Sequence, residues 1–571
     1  MKAGLILIFL LAISCSKGEK KSENTLNYAL TSKVSTIDPA ISYDTVSAKV
    51  VNQIYETLYE YDYLIRPYQL KPLLARELPI VEENGLKYTI KLKKNIEYHP
   101  HPSFNNKKRF VIAQDFINHI KRLAFKPTKA NGWWLFENKI VGLDTFRKKA
   151  KKDLSNFFSL KVKGLEAADD HTLVIRLKRK YPQLKYALAM AFTTPMPREL
   201  IEFQKNDFSQ IAIGTGPYIL QNWVKSSSLT LKRNKNYHTL LYPSKGDRIS
   251  YEKNLLVDSG KKLPFIDTLK FHIMEQAQTR WLNFLKGNID LIVLTKDHFS
   301  LALDSSGKIN KEFKDKGVKL QIAPTLTYWW LSFNMTHPIL GKNLLLRSAI
   351  AHAIDIDEYI NSFTNNIALK ANSIYPPGVF GYTPTNKLPY TFNKNKAKEL
   401  LAKAGYPDGK GLPVFNYDVR GSTTVSRQMG EYIKKELEKI GIKINLVLNT
   451  FPKFLNKART GQLQIWQGGW SMDYPDPENV IQLLSTKNHP PGPNSSYFSN
   501  TEVDSLYNAL FEVNNKKELI QITNKVQKIV TERIPWVMQF YSRNYILHHD
   551  KIRNFRQSDL INNNFKYLRI E

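Results

Sequence analysis

Residues Val414–Leu448, VFNYDVRGSTTVSRQMGEYIKKELEKIGIKINLVL, decide the fold class of this chain. Apolar residues first alternate, as in a strand with one buried face, at Phe415, Tyr417 and Val419. A helix-spaced set, closed by Gly441 as a C-terminal cap, follows at Met429, Ile433, Leu437 and Ile440. Alternation then returns at Ile442, Ile444, Leu446 and Leu448. A strand, a helix and a strand of this length predict a parallel pair with a right-handed crossover.

A second unit of the same kind lies earlier in the chain. Leu269–Ile273 predicts a strand, Trp281 and Leu285 predict a helix that ends near Gly287, and Ile289–Leu294 predicts another strand. Two such units far apart in sequence predict an α/β protein with two lobes, each with its own sheet.

Composition allows this size and limits the partners. A chain of 571 residues, 42% of them hydrophobic, is long enough for two or three compact domains. The formal net charge of +32 raises the question of nucleic acid or an anionic surface. The lysines are scattered, with short clusters such as Lys148–Lys152, and no zinc-finger, RNA-recognition or helix-turn-helix motif accompanies them. We therefore expect a solvated lysine surface and no nucleic-acid partner.

Cys15 is the only cysteine, so the chain can form no internal disulfide. It follows Met1, Lys2 and an apolar run, Leu5–Ile13, which is too short for a bilayer span of roughly 20 residues. Ala12–Cys15 resembles a bacterial lipobox, which implies cleavage before Cys15 and lipid on its sulfur and new amino group. This predicts a signal peptide at 1–14 and a lipidated tether at 15–23. The alternative is a secreted protein with an ordinary cleavage site.

Motifs for catalysis and for cofactors are mostly absent. The chain has no G-x-S-x-G, H-E-x-x-H or Walker sequence. Gly214–Gly216 precedes Pro217, which has no N–H for a phosphate, so a tight turn is predicted. The histidines at 99, 101, 548 and 549 have no acidic or thiol company and are predicted to be surface residues. We expect no enzyme activity, no metal and no cofactor.

Several motifs carry a family resemblance. Gly214–Tyr218 (GTGPY) leads through Trp223 to an R-N-x-x-Y pattern at 233–237. Three further motifs precede it in the chain and four come after it. In chain order they are Ile37–Pro39, Tyr55–Leu58, Ala113–Phe116, Phe333–Asn334, Arg347–Asp355, Ala404–Gly409 and Trp470–Pro477. This ordered set resembles the bacterial extracellular solute-binding proteins of the oligopeptide and dipeptide class, family 5.

The resemblance implies a two-lobed clamp of the type II periplasmic-binding-protein kind, which closes over its ligand by hinge motion. Lobe I would comprise residues 24–326, with an added subdomain at about 59–195. Lobe II would be 327–534, and 535–571 would return to lobe I. The hinge crossings would lie near Thr327 and Pro535. Leu240–Leu263 and His99–Arg109 depart from the family pattern as peripheral segments.

The resemblance also implies the ligand and its anchors. A peptide of any sequence offers an ammonium, a carboxylate and main-chain amides. Asp473 matches the family's ammonium-binding aspartate, and Arg420 resembles the carboxylate-binding arginine of dipeptide-binding members. The residues alone leave a solvated turn open for Asp473 and an exposed loop arginine open for Arg420.

The remaining predicted site residues surround these two anchors. Tyr43, Asp44 and Thr45 would offer backbone partners to the ligand. Trp470, Phe451 and Trp329 would wall its pockets, or else be core residues.

Together these features predict a monomeric, lipid-anchored, extracytoplasmic receptor that delivers peptides to an inner-membrane ABC permease. One alternative keeps the clamp but binds a cell-wall peptide, an oligosaccharide, a nickel chelate or haem. Another is an extracytoplasmic hydrolase.

Overall fold

The computed structural model describes residues 24–490, 492–513 and 515–571. The predicted signal peptide, Cys15 and the tether lie outside these residues. Within them, no helix combines the length and the apolar character that a membrane crossing requires.

Strands and helices alternate along the chain. The strands are β1 (Thr25–Leu30), β2 (Tyr59–Tyr61), β3 (Leu70–Pro72), β4 (Ile80–Glu82), β5 (Lys87–Lys91), β6 (Leu165–Asp169), β7 (Thr172–Arg176), β8 (Tyr218–Val224), β9 (Ser228–Arg233), β10 (Thr268–Ile273), β11 (Leu291–Val293), β12 (Val318–Phe333), β13 (Leu369–Lys370), β14 (Phe415–Val419), β15 (Ile444–Leu448), β16 (Ile465–Ser471), β17 (Trp536–His549), β18 (Ile552–Arg553) and β19 (Arg569–Ile570). The α-helices are α1 (Thr45–Ile54), α2 (Ala113–Ala124), α3 (Leu143–Lys149), α4 (Leu184–Ala187), α5 (Arg198–Phe203), α6 (Arg248–Glu252), α7 (Ala277–Leu285), α8 (Phe299–Ala302), α9 (Lys311–Asp315), α10 (Leu344–Ala353), α11 (Ile356–Thr364), α12 (Lys394–Lys403), α13 (Thr424–Glu438), α14 (Phe451–Arg459), α15 (Glu478–Ile481), α16 (Thr501–Ala509) and α17 (Lys516–Arg533).

One large sheet runs through the molecule in the order β15-β14-β16-β12-β17-β11-β1-β10-β9-β8, with β13 beside β17. β14 and β15 are parallel and flank α13 in sequence, so the parallel pair predicted from Val414–Leu448 is confirmed. In the earlier unit, β10 and β11 are both parallel to β1, which lies between them. The expectation of a separate sheet in each lobe is wrong, because β12 and β17 are long enough to belong to both lobes.

The two long strands pair with each other on both sides of a bulge, which lies between the lobes. The first half of β12 pairs with the second half of β17, and the reverse holds beyond the bulge. At the bulge, residues 325–327 oppose only Ser542. The N–H of Leu326 donates to Oδ2 of Asp559 at 2.8 Å, which satisfies a donor that the ladder leaves unpaired. In β17 the bulge lies at Ser542. The hinge crossings near Thr327 and Pro535 and the lobe boundaries given above remain predictions.

Both faces of the sheet in lobe II are packed. Because successive strand residues point to opposite faces, Leu331 and Phe333 enter one hydrophobic core, while Tyr328 and Trp330 enter another. Strand ends in this lobe therefore project from a rigid support.

The part of the chain around the predicted subdomain forms a second sheet, β4-β5-β7-β6. Its helix α2 is tied to the loop before α1 by a buried ion pair, in which Arg122 Nη1 lies 2.9 Å from Asp38 Oδ1. The segment 240–263 was predicted to be peripheral, yet it is docked through the buried ring of Tyr242, 5.8 Å from that of Phe265.

Candidate functional site

Two neighbouring strands of lobe II bring the predicted anchors to one edge of the sheet. β14 and β16 are parallel, with Asp418 opposite Trp466. Arg420 directly follows β14, and Asp473 follows β16 two residues after its end. The carboxyl ends of parallel strands meet at the same edge, where open α/β sheets bind ligands. The structure therefore brings Arg420 and Asp473 to one wall of the cleft.

Asp473 is half-buried and is held by two neutral groups. The hydroxyl of Tyr43 donates to Oδ1 at 3.3 Å, and the Asn479 side-chain amide donates to Oδ2 at 3.3 Å. Burial raises the pKa of the Asp473 carboxyl, and these two hydrogen bonds oppose the rise. Among the residues described, none forms an ion pair with this carboxylate, so it faces the cleft with its charge uncompensated.

The opposite wall is the start of α1. Tyr43 stands before this helix with 56% of its surface exposed, and its ring centre is 5.9 Å from that of Phe192. Asp44 is the N-cap: its Oδ1 accepts the Ser47 N–H at 2.7 Å, so its side chain is committed to the helix. Thr45 is the first helical residue, and such an N–H has no partner within the helix. The Asp44 carbonyl accepts the Ala48 N–H at 3.0 Å, and backbone contact of Tyr43–Thr45 with a ligand remains a prediction.

Arg420 is half-buried against aromatic rings. Its guanidinium carbon lies 5.1 Å from the ring centre of Phe451, 5.4 Å from Trp329 and 5.6 Å from Phe454. Nη1 donates to the Gly469 carbonyl at 2.8 Å. Burial lowers the pKa of Arg420, because the charged form loses hydration. In the part of the chain that the structure covers, no carboxylate forms an ion pair with this guanidinium.

The predicted aromatic residues line the site, and their polar atoms are paired. Trp329 Nε1 donates to the Ser542 hydroxyl at 3.0 Å, and Trp470 Nε1 donates to Oδ1 of Asn479 at 2.9 Å. Phe451 begins α14 and is 49% exposed. The two indole rings therefore have fixed orientations, and Phe451 lies beside Arg420.

Sequence reasoning missed Asn479, Phe454 and Gly469. Asn479 Oδ1 accepts both from Trp470 and from the N–H of Asp473, at 3.2 Å, and so holds the loop. A Cβ on Gly469 would lie 2.6 Å from the Trp329 ring and 2.8 Å from Arg420 Nη1. Glycine within a strand is a signal of such close approach, and the pair Gly468–Gly469 was visible in the sequence.

A cavity of about 520 Å³ lies between the walls, on the hinge side. Thr45 and Lys49 line it from α1, Thr327 and Ser542 line it from the long strands, and Ser471 lines it from the end of β16. This volume is within the range of small-molecule sites, roughly 300 to 1,000 Å³.

The lobes also touch beside the cleft. The rings of Tyr186 and Tyr474 stack with centres 5.6 Å apart, and Gln183 Nε2 donates to Asp476 Oδ1 at 3.4 Å. Glu478 accepts hydroxyl hydrogen bonds from Tyr474 at 2.6 Å and Tyr507 at 2.7 Å. Burial raises the pKa of both Asp476 and Glu478.

Two of the predicted surface histidines are buried instead. His99 lies against the Gly214–Gly216 turn, with Nε2 3.0 Å from the Gly216 carbonyl, and burial lowers its pKa to about 4. His548 is buried in β17. Over residues 24–490, 492–513 and 515–571 no three His, Cys, Asp or Glu side chains are grouped as a metal site.

Residues 69–491 match the family described as "Bacterial extracellular solute-binding proteins, family 5 Middle". The chain belongs to this family. The family 5 resemblance drawn from the ordered motifs is thereby confirmed.

Known relatives align with this chain over nearly their whole length. "Heme-binding protein A" of Haemophilus influenzae is 24% identical over 95% of this chain and 92% of its own. The "Dipeptide-binding protein" of Escherichia coli is 22% identical over 100% of this chain and 99% of its own.

Solved family 5 structures share the fold. The periplasmic binding protein DppA of Helicobacter pylori, in complex with peptide STSA, superposes with a TM-score of 0.72 at 24% identity, covering 96% of this chain and 98% of its own. HbpA2 of Haemophilus parasuis superposes with a TM-score of 0.75 at 23% identity, covering 96% and 100%. The predicted α/β, type II periplasmic-binding-protein fold is confirmed.

Proposed function

We propose that the protein is the substrate-binding component of an ABC importer, and that it captures short peptides between its lobes and delivers them to an inner-membrane permease. One observation carries the proposal. Asp473 and Arg420 stand at the same sheet edge as an uncompensated carboxylate and an uncompensated guanidinium. Charges partly removed from water cost free energy unless they are paired. A zwitterion satisfies both, and a peptide is the zwitterion that also uses main-chain donors and acceptors.

The spacing of the anchors favours a short ligand. Arg420 contacts the carbonyl of Gly469, four residues before Asp473. Because β16 ends at Ser471, the chain from Gly469 to Asp473 spans at most about 13 Å. An extended peptide of about three or four residues has a similar length. Longer peptides would have to pass the three rings around Arg420, so we expect affinity to fall beyond this length.

The named relatives support the same class of ligand. The Escherichia coli relative is a dipeptide-binding protein, and the Helicobacter pylori structure holds the peptide STSA. In this chain, Tyr43–Thr45 would meet the ligand main chain, while Trp470, Phe451 and Trp329 would bound its side-chain pockets.

The test is calorimetric titration of purified protein with alanine-based peptides from dipeptide to hexapeptide, each free, N-acetylated or C-amidated. We expect the tightest binding from free tri- and tetrapeptides, with a clear loss on blocking either end. Equal binding of free and doubly blocked peptides would remove the ammonium and carboxylate anchors. Mass spectrometry of ligand released on denaturation would identify the natural occupant.

Haem is the second candidate, because a relative with 95% coverage of this chain is named a haem-binding protein. A haem propionate would suit Arg420, and aromatic rings would suit the macrocycle. Asp473, however, would then repel the second propionate. If added haem gives the Soret band of a bound form, and no peptide displaces that haem, the result would favour haem over peptides.

The anchor and the location form the last part of the proposal. Cys15 would carry lipid and hold a monomer at the outer face of a membrane, beside the permease. Cys15→Ser removes the only thiol in the chain. The variant should move from the detergent phase to the aqueous phase, and unchanged partitioning would exclude lipidation at Cys15.

A further inference from the structure

The strand directions show which residues lie at the end of lobe I farthest from the cleft. β1 is parallel to β11, which is antiparallel to β17, so β1 and β11 run toward the hinge while β17 runs away from it. Asn24, the start of β12 at Val318 and the end of β17 at His549 therefore share one end of the sheet. From β1 to β12 there are three strand spacings, about 14 Å. We call this region the distal end.

A groove of about 1050 Å³ opens at the distal end, between the start of β12 and the segment 240–263. Leu255 and Val318 are buried in its floor. Val257 and Ile322 stand on it with 67% and 40% of their surfaces exposed. Apolar side chains are thus presented to the outside here rather than packed away.

Lysines surround these apolar residues. Lys253, Lys308, Lys314 and Lys319 all line the groove and are all exposed. None forms an ion pair with any residue for which the structure gives a position. The arginines of the same groove differ, because Arg553 and Arg569 are both paired with Glu571, at 2.6 and 2.7 Å. Asp550 is the other carboxylate of the lining. The four lysines therefore leave the groove with a net positive charge.

The segment 240–263 is a rigid part of this surface. Arg556 Nη2 lies 2.5 Å from Asp247 Oδ2, and the Asn554 side-chain amide donates to Asp258 at 2.8 Å. This support presents helix α6 outward, with Ile249 44% and Tyr251 57% exposed.

The chain leaves the fold beside the same segment. The Asn24 side-chain amide donates to the Phe265 carbonyl at 3.1 Å, and Leu241 and Lys262 form a bridge at the base of the segment. Cys15 lies nine residues before Asn24, a reach of at most about 30 Å. A lipid on Cys15 would hold the distal end within that distance of a bilayer.

We propose that the distal end is a docking surface for an anionic phospholipid bilayer. The four lysines meet headgroup phosphates, and Val257 and Tyr251 enter the interfacial layer, where tyrosine is favoured. The lipid then lies at the opposite end of the lobe I sheet from the hinge. This orientation rests on the anchor at Cys15 put forward under Proposed function, whereas the surface itself can be tested without it.

The test uses the full chain with Cys15→Ser, so that no acyl chain contributes. Sedimentation with vesicles of phosphatidylcholine, alone or mixed with phosphatidylglycerol, measures partitioning at low and moderate salt. We expect preferential binding to the anionic vesicles. Replacing the four lysines by glutamine should weaken it at least about tenfold. The matched control replaces Lys148, Lys149, Lys151 and Lys152, which are equally exposed, lie far along the chain and change the net charge identically. This control should weaken binding much less.

Each contrary result is decisive. Equal losses in the two quadruple variants would show that net charge alone drives binding, and would overturn the surface. Equal binding to neutral and anionic vesicles would also overturn the surface. So would a groove that mediates self-association, shown if Val257→Asp abolishes self-association and leaves vesicle binding unchanged. Peptide titration of the same variants separates the two proposals. If the quadruple groove variant loses vesicle binding but still binds peptides, the docking surface is supported. If the parent protein binds no peptide either, only the proposed function is contradicted.

Discussion

The hydroxyl of Tyr43 donates to Oδ1 of Asp473 at 3.3 Å, across 430 positions of sequence and across the cleft between the lobes. Tyr43 belongs to the loop that opens α1, and Asp473 to the loop that follows β16. The carboxylate proposed to hold the ligand's ammonium is therefore already engaged by the opposite wall. A ligand ammonium that binds Asp473 must replace the Tyr43 hydroxyl at Oδ1. Opening of the lobes and ligand binding are therefore coupled through this oxygen.

Tyr43→Phe should loosen the ligand-free protein. The ring would keep its contact with Phe192, whereas the bond between the lobes, worth about 1 kcal/mol, would be lost. We expect a larger radius of gyration by X-ray scattering without peptide and the parent value with saturating peptide. Tyr251→Phe, on an exposed helix, is the matched control and should change neither. A ligand-free radius identical to that of the parent would show that the bond does not restrain the lobes.

Asp473→Ala should cost about 2 to 5 kcal/mol of affinity for peptides with a free amino end, because the ammonium would be buried without a partner. Acetylating the peptide should cost the parent protein a similar amount and add little to the loss in the variant. Calorimetry on the four combinations measures the coupling. Asp315→Ala, at an exposed helix end, controls for general effects. Additive losses from the two changes would mean that Asp473 and the amino end do not meet.

Arg420→Gln should weaken peptides with a free carboxyl end by about 2 to 5 kcal/mol and leave C-amidated peptides nearly unaffected. Arg420→Lys should fall between, since lysine keeps the charge but cannot stack on Trp329 and Phe451 while donating a planar pair of bonds. Titration of free and amidated tripeptides checks this. Arg427→Gln, exposed on α13, should match the parent. If the amidated peptides lose as much affinity as the free ones, Arg420 supports the pocket wall rather than the carboxylate.

Acid should weaken binding through Asp473. Burial raises the pKa of its carboxyl in the ligand-free protein, and a bound ammonium would lower it. Affinity is therefore complete above the ligand-free pKa and declines as the pH falls through it toward the pKa of the complex. Titrating a C-amidated peptide between about pH 7 and about pH 4 isolates this effect, because the ligand then has no carboxyl of its own. Asp473→Asn should bind weakly with little pH dependence; a parent protein whose affinity stays constant over this range would contradict the assignment.

Glu478 should make the stability of the protein depend on pH, in the direction opposite to the pH dependence of binding through Asp473. Burial raises the pKa of its carboxyl despite the hydroxyls of Tyr474 and Tyr507. A folded-state pKa above the unfolded value means that stability falls as the pH rises through this interval. Glu478→Gln should then lower the free energy of unfolding at pH 7 by less than about 1 kcal/mol and should flatten its pH dependence. Tyr507→Phe removes a donor from the charged group and should cost about 1 to 3 kcal/mol. Urea denaturation of both variants decides, and a larger loss from Glu478→Gln than from Tyr507→Phe would reverse the interpretation.

The part of this protein that sequence predicted well is local or ordered along the chain. The alternation at Phe415–Val419 and the helical spacing from Met429 to Ile440 predicted neighbouring elements, because side-chain periodicity depends only on the backbone conformation of each segment. The ordered motifs from Ile37 to Pro477 predicted the family in the same way. For the site, the family resemblance indicated Asp473 and Arg420, and the structure places both at one sheet edge.

What the tertiary structure alone decided depends on residues that meet across long distances in sequence. Nothing in Val318–Phe333 shows that its two halves pair with opposite halves of β17, because strand partners are selected by global packing rather than by local pattern. Similarly, His99 has a solvent-like sequence neighbourhood, yet it is buried because the Gly214–Gly216 turn folds onto it. The contact of Tyr43 with Asp473 and the rings around Arg420 belong to this class. Sequence thus determined the elements and the family, while chain folding determined which side chains share the cleft, since a binding site is a property of proximity.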